Sequence, residues 1–143
     1  MILLHMKRWR KPILGLVLVA VSVFAIYRVW EKREQEKREA AYQSTLRRYS
    51  DSLKPGMTRK DVEGYLTRIN LKPQHMCCVS QDRGAWDDLV QIGKEDAPWY
   101  CSESNIYVAF QFASQPGRHV MPMADPTDIL KAVTLYGRGE GCL

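Results

Sequence analysis

The sequence predicts an α+β protein: an N-terminal transmembrane helix continuing into a charged helix, then a short helix packed on a small antiparallel sheet. Three observations carry that prediction. Residues 7–39 run from a basic cluster through an apolar segment into a stretch of mixed charges. Apolar residues in 42–53 and 58–69 recur at helical spacing. Beyond residue 76 the apolar period becomes two, as a half-buried sheet requires.

Lys7, Arg8, Arg10 and Lys11 form a basic tail over residues 1–11, and Met6-Lys7-Arg8 opens in the manner of an export signal. Residues 12–30 are expected to cross a bilayer, since Ile13 to Tyr27 carries no charge. Trp9 and Trp30 bracket this run, ~30 Å apart at a helical rise, where an interfacial aromatic belt would place them. A cleaved signal peptide is the competing reading, through the small-residue pattern Val23-Phe24-Ala25. Residues 31–39 hold four acidic and four basic side chains, a solvated helix with Glu34 placed four before Arg38. Tyr42, Leu46, Tyr49 and Leu53 then fall on one face, expected to pack on the domain or on a second copy. The juxtamembrane helix is thus 31–53, and Pro55-Gly56 stops it.

The remaining stretch, 54–143, is long enough for one small domain. Thr58 is a good N-cap with Asp61 three residues on, and Val62, Tyr65, Leu66 and Ile69 form the buried face of a helix ending before Pro73. Asn105–Phe112 alternates, with Ile106, Val108, Phe110 and Phe112 on one side. Residues 86–93, 129–136 and 76–81 read as further strands.

Composition excludes one function class. The formal charge is +5, from 21 Lys+Arg against 16 Asp+Glu; setting aside the four basic residues of the tail leaves 17 against 16. The basic balance belongs to the tail, so nucleic acid is not an expected partner.

The run Leu53-Lys54-Pro55-Gly56-Met57-Thr58-Arg59-Lys60-Asp61-Val62-Glu63-Gly64-Tyr65-Leu66 resembles the opening of SmpA/OmlA-type domains of bacterial envelope lipoproteins. Those domains share a Gly-Met-Thr/Ser turn, a capped helix with an early Val, then an antiparallel sheet. The chain differs from them in its expected helical anchor and in a Cys- and Trp-bearing insert from Arg68 to Ser104. The resemblance implies an envelope protein with a non-catalytic interaction domain.

Cys77, Cys78, Cys101 and Cys142 are an even set, suited to disulfides in a small domain facing outward. A vicinal 77–78 bond is disfavoured, so each is expected to pair with Cys101 or Cys142. The sharper alternative is a thiol-redox or metal site using Cys77, Cys78, Cys101 and His75. Adjacent cysteines and the lack of a Cys-x-x-Cys motif speak against both versions. His119, Ser80 and Ser102 form no readable catalytic order, and Asp87-Asp88 and Glu95-Asp96 read as solvated turn residues. Trp86, Trp99 and Tyr100 are a candidate contact surface or part of a core packed around disulfides.

The expectation is therefore a single-pass protein of the inner membrane, N-terminus in the cytoplasm and domain outside, with the bilayer as one partner. Its function is non-catalytic binding or scaffolding, with an envelope protein or a second copy bound through the juxtamembrane helix. No cofactor, metal or small-molecule substrate is expected.

Overall fold

The structure, a computed structural model, describes residues 15–77, 79, 86–114 and 124–143 in full and the backbone of 6–14. Among the described residues two helices, α1 (Met6–Ser52) and α2 (Arg59–Arg68), precede four strands: β1 (Gln74–Cys77), β2 (Trp86–Glu95), β3 (Glu103–Ala113) and β4 (Ile129–Glu140). The strands form one antiparallel sheet in the order β1-β2-β3-β4. The chain divides into two compact units, Met1–Ala41 and Tyr42–Leu143.

The first unit corrects the membrane expectation. Among the described residues no helix is long and apolar enough to cross a bilayer. Where side chains are described, the uncharged stretch runs only from Gly15 to Tyr27 before Arg28, Glu31 and Lys32 enter the same helix. A span needs about 20 predominantly apolar residues. The transmembrane assignment of 12–30, the single-pass signal-anchor and the inner-membrane location with an outward-facing domain all rested on that span, and they fall with it. Lys7, Arg8, Trp9, Arg10 and Lys11 have side chains outside the described set. Trp30 is exposed and leans on Tyr27, ring centroids 6.5 Å apart. Further along, Arg28 pairs with Glu31 at 3.4 Å, Lys32 with Glu36 at 3.9 Å and Lys37 with Glu34 at 2.7 Å. The Lys37 hydrogen bond, more than any other cause, holds the Glu34 carboxyl below its usual range.

The second unit is built on one face of the sheet. Tyr49, Leu53, Val62 and Leu66 from the helices meet Val90, Val108, Phe110, Phe112 and Leu130 from the strands. Tyr49 packs edge-on against Phe110, centroids 5.6 Å apart. The Tyr42/Leu46/Tyr49/Leu53 face thus serves its own sheet: Tyr49 and Leu53 are buried and Leu46 packs against them. A smaller cluster of Leu89, Tyr107 and Ala109, with Met76, Val79 and Tyr136, occupies the other face.

Local chemistry explains the elements. Gly56 takes φ +97°, a left-handed conformation that glycine adopts without strain, and so turns the chain out of α1. Thr58 and Asp61 form a complete capping box at the start of α2. The helix ends with Asn70 at φ 58° and with the Leu71 and Asn70 amides donating to the Leu66 and Thr67 carbonyls, a Schellman ending. β2 extends past the expected residue 93 through a register shift between Gln91 and Gly93. A Cβ at Gly93 would sit 2.5 Å from the Tyr42 ring, so this close approach needs glycine. β4 likewise runs on through Gly137 and Gly139, and β1 starts at Gln74 rather than at 76. Residues 78 and 80–81 of the expected first strand lie outside the described set.

Candidate functional site

Apart from His75, the members of the site look like surface residues in the sequence. Thr58 caps α2, so Arg59 is the first helical residue, and its amide donates to the Asp128 carbonyl at 2.8 Å. The Lys60 amide donates to the Pro126 carbonyl at 3.0 Å. Two of the amides that a helix start leaves unpaired are thereby satisfied by the turn before β4. That docking lays the Arg59 side chain across the end of the sheet, where it is 1% exposed.

Arg59 lies with its guanidinium carbon 4.0 Å from the centre of the Phe112 ring. Its Nη1 donates to Asp88 Oδ1, and its Nη2 donates to the Trp86 carbonyl and to Asp128 Oδ2, the last at 3.2 Å. Asp87 and Asp88, expected in a solvated turn, are fully buried in β2. Asp87 Oδ1 accepts the Phe112 amide at 3.2 Å, and Asp88 faces the arginine. A carboxylate inside a strand survives burial only when paired, and here the partners come from elements far away in sequence.

Asp88 also meets β1. His75 is its direct cross-strand partner in the register, and His75 Nδ1 lies 2.8 Å from Asp88 Oδ1. His75 Nε2 sits 3.9 Å from Glu63 Oε1, one helical turn beyond Arg59 on α2. Burial pushes the Asp88 carboxyl up; Arg59 and the His75 hydrogen bond oppose that push. Asp88 Oδ2 is buried with no hydrogen-bond partner among the described residues. Glu63, His75 and Asp88 each bring a potential ligand atom within 4.8 Å of the others. His75 was singled out in the sequence as a cysteine-site ligand; the structure gives it carboxylate neighbours instead.

The cysteines are arranged otherwise than expected. Cys101 bonds to Cys142. The pairing of both Cys77 and Cys78 with those two residues is thereby replaced, because the β3–β4 register sets Glu103 opposite Glu140 and brings the flanking cysteines together. Cys77 is also disulfide-bonded, and Cys78 lies outside the described residues. The thiolates of Cys77 and Cys101 are thus unavailable as ligands or nucleophiles unless reduced. Near this bridge Trp99 is 91% exposed and stacks edge-on with Tyr100, while Trp86 is half-buried at the start of β2.

Comparisons with protein-family models, with curated proteins and with solved structures return no match.

Proposed function

We propose that this chain is a non-catalytic binding module whose recognition element is the outer edge of β4. The observation that carries the reading is the state of that edge. β4 is twelve residues long and closes one side of the sheet. Its outer side is paired at its start only, where the Gly56 amide donates to the Leu130 carbonyl and the Leu130 amide to the Met57 carbonyl. From Ala132 to Glu140 no further backbone bond is made on that side among the described residues. The opposite edge, β1, has four residues, the usual blunted form. A long open edge is a template to which an extended peptide adds as a further strand.

Two features support the same reading. The exposed Trp99–Tyr100 pair offers an anchor of the kind that dominates binding surfaces. Between Leu16 and Trp30, α1 leaves eleven large apolar side chains more than half exposed, an area that calls for a covering partner. The resemblance to SmpA/OmlA-type domains implies interaction rather than catalysis.

The test is selection of extended peptides from a displayed library on the full chain, followed by amide exchange. Bound peptide is expected to slow exchange in Ala132–Glu140, and a proline placed at alternate peptide positions should abolish binding. Protection confined to other surfaces would overturn the reading.

A further inference from the structure

We propose that Glu63, His75 and Asp88 bind one divalent transition-metal ion per chain, independently of the strand edge. The three come from three elements that the fold holds in register. Glu63 stands one turn after Arg59 on α2, and His75 on β1 is paired directly with Asp88 on β2.

Distance is the first argument. Each of the three offers a ligand atom within 4.8 Å of the others, and the 2.8 Å hydrogen bond between His75 Nδ1 and Asp88 Oδ1 is the contact that a shared ion would replace. Ligand bonds of about 2.0–2.2 Å put the donors of one ion roughly 3–4 Å apart. Asp88 is fixed by its burial, whereas the Glu63 and His75 side chains are 35% and 44% exposed. Rotation of those two side chains closes the remaining gap, and solvent reaches the site through them.

Charge is the second argument. One cation, Arg59, pairs with two carboxylates, Asp88 and Asp128, and a third, Glu63, lies on the far side of His75. Counted formally, the three carboxylates exceed the one guanidinium by two negative charges beside a buried sheet end, and a divalent ion balances them. The third argument is the orphan acceptor. Asp88 is fully buried, yet its Oδ2 has no hydrogen-bond donor among the described residues. Such an atom costs free energy unless something positive meets it.

The donor set names the metal class. One imidazole with two carboxylates suits zinc, manganese, iron or cobalt in their divalent states. Calcium and magnesium prefer an all-oxygen shell and are disfavoured by the imidazole. Three protein donors leave the remaining positions to water.

The experiment is titration of the chelator-treated full chain with Co²⁺ and Zn²⁺, read by calorimetry and by the visible absorption of cobalt. The expected result is one ion per chain, a thermal midpoint raised by the ion, and affinity at least about tenfold weaker in both Glu63→Gln and His75→Gln. These partly exposed positions are chosen because Asp88→Asn would disturb the Arg59 pairing; circular dichroism of each variant without metal verifies the fold. Affinity unchanged in the two variants, saturation by Mg²⁺ or Ca²⁺ in preference to Co²⁺, or no binding below millimolar concentration would each overturn the proposal.

Discussion

The two ends of the β3–β4 ladder are closed by opposite means. At one end Glu103 faces Glu140, and the chain just beyond both is joined covalently through Cys101 and Cys142. At the other end Ala113 faces Ile129, and there the closure is electrostatic: Arg59 reaches Asp88, Asp128 and the Trp86 carbonyl over the Phe112 ring. The covalent end acts chiefly on the unfolded chain, by shortening a loop of 41 residues. The electrostatic end acts within the native state, where each partner makes the burial of the others tolerable. A sheet this small thus uses one device that survives loss of packing and one that exists only while packing is intact.

The largest expected effect lies at the electrostatic end. Arg59→Ala strands two buried carboxylates, and urea denaturation should report a loss of about 4 kcal/mol, in the range for a broken buried pair. Removing the bridge with Cys101→Ser and Cys142→Ser together should cost about 3–4 kcal/mol, read in the same way. If the double serine variant loses more than Arg59→Ala, the ranking of the two closures is reversed. Thr58→Ala removes the cap that aims Arg59 and should cost about 1 kcal/mol.

The smallest effect is one of pH. Desolvation first, then its hydrogen bond to Glu140 Oε1 at 3.0 Å, raises the Tyr107 phenol, and burial raises Tyr49 likewise. A group raised on folding stabilises the native state below its unfolded value of about 10 and loses that contribution as pH climbs through the folded value. Alkaline denaturation should therefore have a slope that weakens in Tyr107→Phe and survives in part through Tyr49. An unchanged slope would remove Tyr107 from the account.

The helix cap and the alternation of β3 were legible in the sequence, whereas the closures at both ends of the ladder were hidden. Thr58 and Asp61 announce their helix because a cap is a local bargain between neighbours. The alternation from Ile106 to Phe112 announces β3 because one of its faces meets the main core. Arg59, Asp87 and Asp88 were unreadable, since hydropathy assigns charged residues to the surface and the pairing that reverses this joins residues 29 and 69 positions apart. The cysteine pairing was hidden for a related reason: it follows from the β3–β4 register, not from spacing along the chain. The run from Pro12 to Trp30 misled in the other direction, because a bracketing pair of tryptophans made an apolar stretch look long enough to span.

Arg59 has a consequence for the order of events at the ribosome. When α2 emerges, the guanidinium has neither carboxylate; Asp88 arrives 29 residues later and Asp128 only 69 residues later. Until β4 is synthesised the residue is a solvated cation on the first turn of a short helix. Final closure therefore waits on the turn before β4, and the β1–β3 meander must persist meanwhile with its third strand as a bare edge. A translation pause placed before residue 128 would prolong the interval in which that strand is open to the wrong partner.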